Sequence, residues 1–251
     1  MADPLLWGIQ QLAPVLFGRS ESLAVDVETL KEQLQPGNRQ FLVEQYAGLT
    51  ASQQGDEQKT NSHLLMFSEY CISYLFSWSE CLWQLKFPLA EQVGITGKSA
   101  RAWDRDVRHL AATAQSQAAV RRALANVPTY MIFDDHDVSD DWNLNQAWCL
   151  RVFGKPLGRQ VVRNALLAYA IFQAWGNTPE QFYPNTPGAQ LLAATEAWCK
   201  TGAEQTAVLS QIARSLGLPQ IDQAQRRQTN LASHRSLGSV RCSDWLGGDR
   251  V

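Results

Sequence analysis

The densest run of chemically capable side chains is Asp134-Asp135-His136-Asp137, with Asp140 and Asp141 close behind. Carboxylates and imidazole are the ligand types of hard and borderline divalent ions. Two such ions side by side can hold a bridging hydroxide and clamp a phosphoryl group. A neighbouring imidazole can stabilise the transition state or protonate the leaving oxygen. A carboxylate beside it would hold the ring in place and raise its pKa. The same residue types also build solvated turns and helix caps. Ser139, Asp140 and Asp141 suit the cap of a helix that includes Trp148, and capping is favoured there over metal binding. For residues 134–137, composition alone leaves metal chemistry and a plain acidic turn both open. The cost of burying such a run without a ligand weighs for the metal.

Positioning this run requires a fixed backbone before it. Residues 129–133, Thr-Tyr-Met-Ile-Phe, are β-prone and end abruptly in acids, which predicts a strand. Strand ends in open α/β sheets are where ligand-binding loops gather. Around it the pattern is helical. A long helix is expected over residues 99–126, stopped by Pro128. Another starts near Pro156, buries Leu157, Val161, Ala165, Ala168, Phe172 and Trp175, and stops at Gly176-Asn177. Residues 5–17 read as a helix that ends at Gly18. Residues 25–34 are weakly amphipathic, with Pro36-Gly37 as a breaker. Asn61 and Ser62 are placed to cap an almost wholly apolar helix from His63. Weaker helices follow at 189–200 and 204–216. Residues 219–251 lack periodicity and read as a disordered tail. The expectation is therefore an α/β-family domain over residues 1–218 that is mostly α. It has one strand, about 129–133, among six or seven helices. A lone strand needs partners for its backbone groups, so strands are missing either from this reading or from the chain.

Bulk properties narrow the classes. The chain has 251 residues, is 45% hydrophobic and carries a net charge of -2. Its lysines and arginines are scattered, which argues against a nucleic-acid partner. The five cysteines are odd in number and none are paired as Cys-x-x-Cys, so neither a disulfide framework nor a zinc ribbon is expected. A reducing, cytoplasmic setting is the simplest reading, and the first residues do not form a signal peptide. Residues 64–85 approach the length of a membrane span. Glu69, Ser73, Ser77 and Glu80 recur at helical spacing there, which suits a buried core helix better than lipid.

The stretch 128–143, Pro-Thr-Tyr-Met-Ile-Phe-Asp-Asp-His-Asp-Val-Ser-Asp-Asp-Trp-Asn, resembles the acidic block of alkaline phosphatase D-like metallophosphatases of the calcineurin-like superfamily. The likeness continues through His63-Leu64-Leu65 and residues 74–79 upstream. Downstream it runs through residues 156–159, 164–169 and 175–179, and in all it covers roughly residues 2–218. It implies a metal-dependent phosphoester hydrolase, a phosphatase or phosphodiesterase, using calcium, iron or manganese. Carried over by position, Asp135 takes the metal-ligand place. His136 takes that of the acid or phosphate contact, and Asp137 orients His136. Asp134 is a weaker metal candidate.

The family's other motifs are not found. Gly55-Asp56 is followed by Glu57, Gln58 and Lys59 without the required Tyr, and His234 is followed by Arg235 rather than a second His motif. The opening residues 1–6 resemble the run just after a family metal motif. The chain is thus expected to be an internal stretch of a longer enzyme, a truncated or frameshifted product, with weak or no metal binding and little hydrolysis alone. The alternative is a noncatalytic helical module that pairs with a complementary chain. Residues 94–99 fail the P-loop spacing because Gln92 stands where glycine is needed. His63 and His109 read as structural or exposed, and Arg159 and Arg163 as a solvated face. The tryptophans read as core.

Overall fold

The computed structural model describes residues 3–18, 21–49, 60–139, 146–201 and 206–219. The chain is mostly helical, 69% helix, and no strand or sheet occurs among the described residues. The strand predicted at residues 129–133 does not form: that segment is extended but joins no sheet.

Helix α1 (Pro4–Phe17) begins and ends where the sequence signals it. The Asp3 carboxylate accepts the Leu5 and Leu6 amides, and Gly18 closes the helix at φ 70. Leu6 and Ile9 are buried against Ile72 and Phe76 of α2 (Phe67–Trp78), with Trp83 and Phe87 edging the same small core. Helix α2 starts at Phe67, later than the expected His63. Asn61 and Ser62 do not cap it. Glu69 does so from within, accepting the Leu65 amide at 2.8 Å and the Met66 amide at 3.2 Å. Two orphan donors at the helix entry are satisfied by one carboxylate.

That carboxylate is itself buried. Glu69 is 1% exposed and meets Arg39, 0% exposed, in a two-pronged ion pair at 2.6 and 2.9 Å. Arg39 also donates to the Leu34 and His63 carbonyls. The guanidinium beside Glu69 holds its carboxyl below the usual range, although burial alone would raise it. The expected polar stripe on this helix thus contains one residue, Glu69, that is a buried structural ion.

Helix α3 (Gly97–Asn126) buries Ala102, Trp103 and Gln117 and leaves most of its surface in solvent. Helix α4 (Gln146–Phe153) leads into α5 (Pro156–Tyr169). The latter continues through a π turn (Ala170–Ala174) and a last turn (Trp175–Asn177). Helix α5 is the centre of the main core. Of its expected face Leu157, Val161, Ala165 and Ala168 are buried, joined by Val162, and Phe172 is half-buried, but Trp175 is 44% exposed because the last turn runs past the core. Its first turn lies directly on the π turn Leu42–Ala47. A Cβ on Gly158 would meet the Ala47 carbonyl oxygen at 2.1 Å, so only glycine fits there. Helices α6 (Pro187–Thr201) and α7 (Thr206–Ser215) pack as a hairpin beside this core. No helix among the described residues is long and apolar enough to cross a membrane.

Candidate functional site

The acidic run sits on the segment that leaves α3. After Val127, residues 128–134 form no helix. The Met131 amide donates to Asn177 Oδ1 at 3.2 Å. The Met131 carbonyl accepts from Asn177 Nδ2 at 2.6 Å and from the Tyr169 hydroxyl at 3.3 Å. One primary amide therefore gives Met131 both bonds that a neighbouring strand would give. Phe133 packs on Tyr169, ring centroids 5.2 Å apart. Alternation is kept: Met131 and Phe133 are half-buried, while Tyr130 and Ile132 are 77% and 86% exposed. The pattern that reads as a strand is real, but a helix end and not a sheet takes up the inward-facing groups. That is why no ladder forms here.

Asp134 keeps an extended backbone and caps the short 3₁₀ turn Asp135–Asp137. Its Oδ1 accepts the His136 amide at 2.9 Å, and Asp137 Oδ2 accepts the Asp134 amide at 2.9 Å. Two of the four acidic-run side chains are thus engaged in holding the turn. Val138 and Ser139 carry the chain back into the interior, with the Val138 and Ser139 amides on the Asp135 carbonyl. His136 is exposed at the apex and Asp135 is half-buried. Tyr70 and Tyr74 are both pushed well above the ordinary phenol range, mainly by burial, with Asp137 adding to the rise.

His63 anchors the back of this turn. It is half-buried, with Nδ1 2.6 Å from the Leu64 carbonyl and Nε2 against the Val138 carbonyl. Burial pushes its pKa down, whereas the two carbonyls favour the protonated ring. A neutral imidazole has one N–H and can serve only one of them. His63 is structural, as expected, yet it couples the acidic turn to the Arg39–Glu69 pair, since Arg39 holds the His63 carbonyl. Nothing in local spacing announces that link; residues 63 and 138 meet only in the fold. His109 is exposed, also as expected.

A groove of about 510 Å³ runs beside the segment, not over the acidic turn. It is lined by Trp78, Pro128, Met131, Phe172, Gln173 and Asn177 among others and contains no carboxylate or imidazole. Trp78 Nε1 and Gln173 Oε1 are buried with no partner among the described residues.

The arginine pair differs from its sequence reading. Arg163 lies over the Trp198 ring, 5.3 Å from its centroid, and Arg159 donates to the Pro219 carbonyl. Both are partly buried, because α6 and residue 219 cover the face that sequence alone leaves in solvent. Asp140, Asp141, Gly55, Asp56 and His234 lie outside the described residues, as does almost all of 219–251.

Among the described residues, no group of three or more His, Cys, Asp or Glu is placed to hold a metal ion. Asp134, Asp135, His136 and Asp137 are brought onto one turn, but they do not converge, and two of them are committed to capping it. The donor set does not fit a dinuclear centre by itself. No family model, curated protein or solved structure matches the chain.

Proposed function

We propose that this chain supplies one ligand-bearing turn to a metal-dependent phosphoester hydrolase centre and does not hydrolyse phosphoesters by itself. The observation that supports this reading is the self-capped turn Asp135–Asp137. The Asp134 and Asp137 carboxylates fix its backbone, with the His136 side chain exposed and the Asp135 side chain half-buried. A turn held that way presents its donors at little ordering cost. In the proposed assignment Asp135, with Asp134 as the weaker candidate, faces a calcium, iron or manganese ion. His136 would contact the phosphoester substrate, and Asp137 would position His136. Protein beyond the described residues must supply the remaining ligands, because metal affinity rises with ligand count and preorganisation. The cysteine count is the ground for a cytoplasmic setting.

The test has two parts. Calorimetric titration with manganese should show weak binding that Asp135→Asn abolishes; an unchanged isotherm would contradict the assignment. The purified chain, given calcium, manganese or iron, should not turn over an aryl phosphate or an aryl phosphodiester. Turnover that His136→Ala removes would show a complete enzyme instead.

One observation favours a second reading, a noncatalytic helical module that pairs with a complementary chain. The outward groups of Tyr130 and Ile132, apolar side chains and backbone alike, have no partner among the described residues. Unpaired strand-like edges of this kind are templates for another chain.

A further inference from the structure

We infer that the complementary chain is a second copy of this one, joined by antiparallel pairing of residues 128–134 about a twofold axis at Met131. The inference rests on the second reading above and names its partner.

The argument is one of register. In an extended chain the N–H and C=O of one residue point to the same edge, and those of the next residue to the opposite edge. Asn177 and Tyr169 occupy the edge that Met131 faces. The opposite edge therefore presents the N–H and C=O of Tyr130 and Ile132, which bond nothing among the described residues. Pairing Tyr130 of one copy with Ile132 of the other, and the reverse, makes two residue pairs that each exchange two backbone bonds. The next positions along the same edge are Pro128 and Asp134. Pro128 has no N–H, and the Asp134 amide is already held by Asp137 Oδ2. In this register they fall opposite each other, so the ladder ends at both sides without stranding a donor. A register shifted by two residues would leave the Tyr130 or Ile132 carbonyl opposite a residue with no N–H to give, because Pro128 has none and that of Asp134 is held by Asp137.

The side chains agree. Tyr130 and Ile132 become cross-strand neighbours on the exposed face, an aromatic and β-branched pair of the kind that stabilises sheets. The twofold axis also carries each acidic turn toward the C-terminal end of the other copy's α3, where Arg122 is exposed, so unlike charges approach at both ends. Asn177 blocks the inner edge, so the assembly closes at two copies and cannot extend into a fibre.

Sedimentation equilibrium of the full chain tests this. Twice the chain mass is expected, falling to one chain mass for Ile132→Pro, which deletes a donor that the monomer fold does not use. Tyr130→Lys/Ile132→Lys, which keeps every backbone donor, should also be monomeric, and circular dichroism should show native helix in both. A wild-type chain that stays monomeric at high concentration overturns the proposal. So does a dimer that survives both variants. Amide hydrogen exchange separates the two readings. If the chain is monomeric and the Tyr130 and Ile132 amides exchange freely, only self-pairing fails. If they are protected in a monomer, the edge is not open, and the complementary-chain reading fails with it.

Discussion

Two segments of this protein run without helix or sheet beside the same core, and they are satisfied to very different degrees. Residues 63–66, before α2, have their polar groups taken by buried side chains. Glu69 accepts the Leu65 and Met66 amides, Arg39 holds the His63 carbonyl, Tyr70 the Leu64 carbonyl and Asn164 the Leu65 carbonyl. In residues 129–133 the Met131 amide and carbonyl are served by Asn177 and Tyr169, while the backbone groups of Tyr130 and Ile132 have no partner among the described residues. Side-chain amides, carboxylates and guanidinium stand in for a strand partner in both places. In the first, side chains serve both groups of Leu65, the His63 and Leu64 carbonyls and the Met66 amide, and Leu65 is buried while its neighbours are half-buried. In the second it is one-sided, and an apolar edge faces solvent. Satisfying a backbone without a sheet takes one polar side chain for nearly every group, and only the first segment has that many.

The comparison can be broken most severely at Glu69. Glu69→Gln leaves the Arg39 charge buried and unpaired and weakens the cap on Leu65 and Met66. A loss of ~3–5 kcal/mol is expected in denaturant unfolding. A loss below ~1 kcal/mol would mean that the pair is not buried as described.

Glu21 gives a pH-dependent test of the same region. Its carboxyl accepts from the Ser68 amide and from Asn164, and burial pushes its pKa from 4.5 to about 7. A carboxyl raised on folding contributes stability that is fully present below its unfolded pKa and is lost as pH rises through the folded value. Between pH 4.5 and about 7 the wild type should therefore lose stability from this group, on the order of 3 kcal/mol. Glu21→Gln removes the titration. It should raise the melting temperature relative to wild type at pH 8 and change it little at pH 5; equal shifts at both would contradict the assignment. His63 acts with the opposite sign. Its lowered pKa makes stability fall as pH drops below 6.5, so the Glu21 effect is cleanest on the alkaline side.

The smallest effect is expected on the one-sided segment. Asn177→Ala removes both Met131 bonds but leaves the Tyr169 contact, costing about 1 kcal/mol, because the freed groups can reach water. A cost as large as that of Glu69→Gln would show that residues 129–133 are as deeply integrated as residues 63–66.

The sequence made the helices legible where their ends carry chemistry. Asp3 and Gly18 bound α1, Pro156 and Asn177 bound the α5 run, and the apolar face of α5 was legible from Leu157 to Ala168 but not at Trp175, which is exposed. Helix starts set by long-range partners were not legible, because Glu69 caps α2 only when folded against Arg39. Strand character failed for a related reason. Propensity in Thr-Tyr-Met-Ile-Phe reports a fit to a pleated, half-buried surface, and the surface present is a helix end. For the candidate site, the position of the acidic turn was legible, since a run of Asp and His after an apolar stretch is a local signal. Its convergence was not, because ligand geometry depends on which other elements arrive beside it. Nor could spacing show that Asp134 and Asp137 are used to hold each other's backbone.

The central claim is that Asn177, not a strand, pairs with Met131. Residue-resolved hydrogen exchange measures it directly. The Met131 amide should be protected in the wild type and lose that protection in Asn177→Ala, while the Leu65 amide stays protected in both. A Met131 amide that remains protected without the Asn177 side chain would mean that a strand partner exists and would contradict the account.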